Sequence, residues 1–301
     1  MTVLLSPGVS RALFALALIP LLVCQSVQAQ PVQATDARGA TVRLAHPAQR
    51  IITLAPNLTE LVFASGAGER LAGVARHSDF PPAARRLPVV SDAVQFDLER
   101  MLVLRADLVL AWQGGTPPDA IARLERAGLP VFVAAAADLD DIARNITVIA
   151  QLSGTTAAGA TARAAFDADL RALRGRRNEG IPVRVFYEIW DRPLMTVNHA
   201  HLISQIITLC GGSNVFADLR PLTPEVSREA LLAARPEIVL GGSSADSPEA
   251  FSARWAALPP PFNSWPARHL PPDLMQRPTP RIIDGARQVC AHLDAVRAAR
   301  R

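Results

Sequence analysis

Two glutamates carry the clearest chemical signal in this chain, because each holds the same place in a passage that occurs twice. From Glu99 the sequence reads ERMLVLRADLVL, and from Glu229 it reads EALLAARPEIVL. In both, a Leu (Leu102, Leu232), an Arg (Arg105, Arg235) and an acid (Asp107, Glu237) follow at matching distances, and Asp97 or Ser227 stands just before. The spacing predicts a capped helix start, a short amphipathic helix, a turn and a buried strand, twice over. One carboxylate in a first helical turn is favoured by about 0.3–1 kcal/mol through the helix dipole and needs no further explanation. Two at equivalent places on duplicated units suit a partner with two matching basic sites.

A second group of residues suits a large, flat, partly apolar ligand. Phe80, Trp112 and Trp190 offer aromatic planes, and Gly114 and Gly242 allow close backbone approach. The competing reading is that the aromatics seal an interface between two halves of the chain. His77 is a potential ligand to a metal carried by such a molecule, or a surface imidazole bonded to Asp79. His199 and His201 have no supporting cluster of acids or cysteines and make a weak bare-metal site. Glu60 or His77 with Asp79 would resemble an acid/base pair, but Glu60 falls inside an expected helix. Nucleophile elbow, phosphate-binding loop, zinc-protease and dinucleotide motifs are absent from the sequence, so the reading is of a binding protein and not an enzyme.

The elements that must position these residues alternate. Strands are expected at 51–54, 71–74, 108–110, 130–133, 183–187 and 238–240. Helices are expected at 58–65, 118–127, 139–152, 202–209 and 281–298, after a possible edge hairpin within 31–48. Such alternation argues for mostly parallel sheets covered on both faces. An Ala/Arg-rich stretch from Thr156 carries one helical stripe, Ala162, Phe166, Leu170 and Leu173, and reads as a single connecting helix. The expected division is a signal peptide (1–29), an N-terminal lobe (30–155), a connecting helix (156–178) and a C-terminal lobe (179–301). In open parallel sheets ligands lie beyond the carboxyl ends of the strands, which places His77, Trp112 and Trp190 in a cleft between lobes. One rigid helix between the lobes predicts opening of small amplitude.

Bulk properties bound the function. The chain has 301 residues, is half apolar and carries a formal charge of +4 from scattered arginines, with no basic block of the kind nucleic-acid binders use. Arg11, an apolar run from Ala12 to Val23 and the small residues of Val27-Gln28-Ala29 form an export signal. Val23 before Cys24 fits a lipoprotein site poorly. Removal of the signal leaves Cys210 and Cys290, a disulfide candidate in an oxidising compartment, worth about 4 kcal/mol by chain entropy. Two free buried thiols are the alternative.

From about Arg50 to Ala298 the sequence resembles the periplasmic substrate-binding proteins of cobalamin and iron-chelate ABC importers. The passages that carry the resemblance are ITLAPNLTELVFASG, SDFPP, FDLERMLVLRADLVLAWQGG, ITLCGGSNVFAD, PEVSREALLAARPEIVL and PTPRIIDGARQVCAHL. The resemblance implies α/β architecture: two Rossmann-like lobes joined by one long backbone helix, with a ligand cleft between them. It implies cobalamin as ligand, haem or a ferric siderophore as the alternative cargo, and delivery to a permease dimer of the inner membrane by a free monomer. Glu99 and Glu229 fall on the permease-docking glutamates, and Cys210 and Cys290 on a disulfide of the cobalamin members. His77 falls on an aromatic ligand contact, often Tyr, so that coordination of a chelated metal becomes an option. Asp273, Leu274, Met275, Gln276 and Arg277 fall on a loop that touches the corrin. The chain departs from some cobalamin binders at Ala93 and Thr223, where those have Trp, and offers Trp190 instead.

Overall fold

The computed structural model describes residues 1–3, 31–92, 95–176, 180–243 and 246–300. The expected signal peptide beyond its first three residues, Cys24, Ala93 and the boundary expected at 178/179 lie outside the described residues. The chain opens with an antiparallel hairpin, β1 (Val32–Thr35) and β2 (Thr41–Leu44). The first lobe continues through β3 (Ile51–Thr53), α1 (Pro56–Ala64), β4 (Leu71–Ala75), β5 (Val89–Ser91) and α2 (Leu98–Val103). It ends with β6 (Leu108–Trp112), α3 (Pro118–Arg126), β7 (Val131–Ala134) and α4 (Leu139–Ser153). A single helix, α5 (Thr156–Arg174), leads out of it and is capped at Gly175.

The second lobe comprises β8 (Val183–Glu188), a small hairpin of β9 (Trp190–Asp191) and β10 (Leu194–Met195), α6 (Leu202–Leu209) and β11 (Gly212–Asn214). It closes with α7 (Arg228–Ala234), β12 (Ile238–Gly241), α8 (Pro248–Ala256), β13 (Ala267–His269), α9 (Pro272–Met275) and α10 (Ile282–Ala299). Strand order is β5-β4-β3-β6-β7 in the first sheet and β11-β8-β12-β13 in the second. All pairs within both sheets are parallel. Setting β3 on β8 and β6 on β12 superposes the two orders, so the duplication extends past the repeated passage to the whole sheet. The protein is a two-lobed α/β molecule with Rossmann-like halves.

The pleat explains how the halves share one core. Successive strand residues face opposite sides. Ile51, Leu108, Leu110 and Phe132 of the first sheet, and Val185, Tyr187, Ile238 and Leu240 of the second, belong to one continuous apolar cluster. The α5 stripe of Phe166, Leu170 and Leu173 and the α10 residues Val289 and Leu293 are part of the same cluster. The alternate residues Ile52, Val109 and Val131 pack with Met101 on the outer face of the first lobe, and Phe186 and Val239 pack with Leu231 on that of the second. Ion pairs fasten α5 at several points: Arg174 to Asp140 of α4 at 2.8 Å, and Asp169 to Arg287 of α10 at 2.6 Å. These pairs are about half-exposed and each adds at most about 1 kcal/mol; the helix is held chiefly by its buried stripe.

Cys210, at the end of α6, and Cys290, in α10, form a disulfide with Cα atoms 4.7 Å apart. Both are buried, so the bridge clamps the closing helix to the second lobe from inside the core. Among the described residues no helix is long and apolar enough to cross a membrane.

Candidate ligand cleft and lobe tips

The repeated passage builds the same local structure in each lobe. The Asp97 carboxylate accepts the Arg100 amide at 2.9 Å, and the Ser227 hydroxyl oxygen accepts the Ala230 amide at 3.1 Å. Each cap thus satisfies one of the orphan donors at its helix start. Met101 and Leu231 turn inward and are fully buried, whereas Glu99 and Glu229 are exposed. Hydrogen bonds from its own amide, and one with Ser227, hold the Glu229 carboxyl below the ordinary range.

The other ends of these helices match as well. Arg105 and Arg235 take left-handed backbone conformations, φ 51° and 44°. Asp107 accepts the Arg50 amide at 2.9 Å, and Glu237 accepts the Arg184 amide at 2.9 Å. The guanidinium of Arg50 then donates to the Leu104 carbonyl, and that of Arg184 to the Arg235 carbonyl, placing a cation on each helix C-terminus. These contacts explain why the repeat carries an acid eight residues after its glutamate: the acid ties the helix turn to the strand beside it.

Loops that follow β3, β4, β5 and β6 come together at the carboxyl edge of the first sheet. A cavity of about 670 Å³ lies against the first lobe, lined by Pro56, Ala75, Arg76, His77, Gln95 and Gly115 among others. His77 is exposed and has a positive φ of 65°, which turns it out of the β4 line at the cavity wall. Phe80 is 41% exposed, with the Arg281 guanidinium 4.0 Å above its ring. Trp190 is 53% exposed, and its indole N–H donates to the Arg192 carbonyl at 2.9 Å. Trp112 is half-buried and packs against the shared core. Gly114, with φ 79°, has open space where a side chain would begin. Gly242 is different: it is buried, and the His269 ring fills the place of its absent Cβ.

The segment from Asp273 to Arg277 divides. Asp273 and Leu274 are half-buried and Gln276 is exposed, but Met275 is 1% exposed and belongs to the core. Met275 fills the space that Gly285 of α10 leaves open. Arg277 crosses between the lobes. Its guanidinium donates to Glu60 at 3.0 Å, to Asp79 at 2.8 Å and to the His77 carbonyl at 3.3 Å, and it pairs with Asp273 at 2.9 Å.

Glu60, which the sequence offered only as half of an acid/base pair, is the buried hub of these contacts. Its carboxylate, with 3% of the side chain exposed, also accepts from Arg281 at 3.1 Å and from the Thr279 hydroxyl at 2.9 Å. Glu60 and Asp79 do come together, but Arg277 lies between them, which makes them a clasp and not an acid/base pair. Burial raises the Asp79 pKa, yet the hydrogen bond and charge of Arg277 outweigh it and leave the carboxyl below its ordinary value. No local pattern marks Glu60, because its partners lie 217 to 221 residues away.

A second buried carboxylate, Glu188 at the end of β8, bonds Arg254 at 2.5 Å and the Trp255 indole at 3.0 Å. Burial lifts its pKa above the carboxylate range despite Arg254. The histidines of the 198–201 stretch have structural work. His199 bonds the Ala217 carbonyl at 2.9 Å, and His201 caps α6 through Ile203. Burial pushes the His201 pKa down to about 4. Among the described residues no three His, Cys, Asp or Glu side chains converge as a metal site would require.

A two-lobed α/β chain with a cavity at the carboxyl ends of its strands has the architecture of a class of ligand-binding protein. Residues 51–257 match the periplasmic binding protein family, and the chain belongs to it. The vitamin B12-binding protein of Vibrio parahaemolyticus is 34% identical over 254 residues, covering 84% of this chain and 92% of that protein. Its counterpart in Yersinia pestis is 33% identical over 252 residues, covering 84% and 89%. In three dimensions the chain is similar to the periplasmic vitamin B12 binding protein BtuF of Vibrio cholerae, with a TM-score of 0.75 and 34% identity over 83% of this chain and 98% of that one. It is also similar to the periplasmic haem-binding protein BhuT in complex with two haems, with a TM-score of 0.73 and 27% identity over 82% and 98%.

Proposed function

We propose that this chain is the substrate-binding component of an ABC importer, which captures a cobalamin-class corrinoid between its lobes and delivers it to a two-fold membrane permease. The observation that carries this reading is the 670 Å³ cavity at the strand ends of the first lobe, in a chain 34% identical to a vitamin B12-binding protein over 254 residues. The binding surface in this reading comprises His77, Phe80, Trp112, Gly114, Trp190 and the exposed part of the 273–277 segment. Gly242 contributes through the close packing that it permits, and Glu99 and Glu229 present carboxylates to the permease. The chain acts by binding alone, as a monomer in the periplasm after loss of residues 1–29. Lobes 30–155 and 179–301 move little about the connecting helix.

The experiment is titration of the purified protein with cyanocobalamin, haemin and ferric siderophores, followed by absorbance and calorimetry. Saturable, stoichiometric uptake of cyanocobalamin is expected. A protein that takes up haemin or a siderophore and ignores corrinoids has the same role with a different cargo. One observation favours haem as that second cargo: an exposed imidazole, His77, at the cavity wall of a chain 27% identical to a haem-binding protein. A His77→Ala change that moves the Soret band of bound haemin identifies the coordination, and an unchanged spectrum removes it.

A further inference from the structure

Each copy of the repeat carries an apolar residue that the core does not use. Leu102 is 46% exposed and Leu232 is 42% exposed. They are the same position of the repeat, three residues after Glu99 and Glu229, and so lie one helical turn along the same face as the carboxylate. The neighbours that could have buried them do not: the shared positions that face inward are Met101 and Leu231, both fully buried. Isolated exposed leucines are ordinary on a protein surface. Here the exposure is duplicated, at equivalent helix positions, beside an exposed carboxylate each time. In the first lobe Val103, 80% exposed, widens the patch. The adjacent cations differ between the copies: Arg100 follows Glu99 and points about a quarter-turn away from the Glu–Leu line, whereas Arg228 precedes Glu229 and lies four residues before Leu232, on the face of that leucine.

We infer that Glu99 with Leu102, and Glu229 with Leu232, form two equivalent two-part docking patches, whose occupant is the two-fold permease. Each half of that permease then offers a basic side chain with an apolar seat one helical turn beyond it. The inference rests on the docking role proposed above and adds the leucines to it. The division of labour follows from general interface physics. Exposed carboxylates steer encounter and set its salt dependence. The desolvated apolar contact governs how long the complex lasts, since most affinity differences between related complexes lie in the off-rate.

The test uses the full chain and the host permease reconstituted in lipid nanodiscs, with association and dissociation followed by biolayer interferometry at several salt concentrations. L102S/L232S is expected to dissociate about tenfold faster with an unchanged salt slope and unchanged corrinoid affinity. E99Q/E229Q is expected to associate more slowly and to lose the salt slope. Unaltered dissociation of L102S/L232S, alongside impaired E99Q/E229Q, overturns this inference and leaves the docking glutamates standing. Unaltered behaviour of both variants, or no docking by the unchanged chain, overturns the docking reading together with it. Because both leucines are surface residues, L102S/L232S should keep the melting temperature of the parent, which separates lost contact from lost fold.

Discussion

Glu60 on one side, and Glu99 and Glu229 on the other, place one kind of side chain in opposite circumstances. Glu60 is buried between the lobes under two arginines and a threonine hydroxyl. Glu99 and Glu229 stand exposed at helix starts whose capping has been done by Asp97 and Ser227. A buried carboxylate must be matched by donors from the same molecule, or its desolvation goes uncompensated. An exposed one keeps its hydration and remains available to a second molecule. The same chemistry therefore serves the fold in the first case and is free for recognition in the second.

The largest test of that contrast removes the buried carboxylate. Glu60→Ala leaves Arg277 and Arg281 facing each other without their shared anion and is expected to cost about 3–5 kcal/mol in urea unfolding. Glu99→Ala and Glu229→Ala are expected to leave the urea midpoint nearly unchanged, since an exposed carboxylate at a helix start is screened by solvent. Equal losses at the three positions would break the comparison. Between these extremes lies the covalent clamp of the second lobe. Replacing Cys210 and Cys290 with Ala should lower stability by about 2–4 kcal/mol, read from the same urea transition, because the closed loop no longer restrains the unfolded chain.

Function reverses the order. The Glu99→Ala/Glu229→Ala double variant should abolish uptake of labelled cyanocobalamin in cells while keeping ligand affinity within about twofold, since neither carboxylate lines the cavity. Wild-type uptake by that variant would remove the distinction between structural and recognition carboxylates. The smallest expected effect is a pH dependence. Asp79 has a folded-state pKa below its unfolded one, so its contact with Arg277 contributes stability above about pH 4, and that contribution fades as pH falls through the lower, folded value. Asp79→Asn should flatten the acid limb of the stability profile and leave the neutral region parallel to the parent.

Much of this architecture was legible in the chain, for identifiable reasons. The helix read at 202–209 is α6 to the residue, because an apolar run ends at Cys210-Gly211-Gly212. The α5 stripe was legible because Phe166, Leu170 and Leu173 recur at helical spacing. Strands β5, β11 and β13 were not, since three residues carry no usable period and their pairing is set by neighbours distant in sequence. The cleft loops followed from the rule that ligands lie beyond strand carboxyl ends. Their internal bonding did not: the Glu60–Arg277 contact joins α1 to the approach of α10, and a lone Glu within a helix gives no sign of it. The burial of Met275 was not legible for a related reason, because the space it fills exists only where Gly285 is packed against it.

The continuous core through α5 has a consequence for how a loaded molecule differs from an empty one. Because both sheets share one apolar cluster with α5, a guest is expected to change chiefly the angle at which the two blocks meet. The instrument this most resembles is a caliper: what lies between its jaws is reported by the gap between its points. A distance measured between labels at the two tips, with and without cargo, is therefore the quantity in which occupancy should be written.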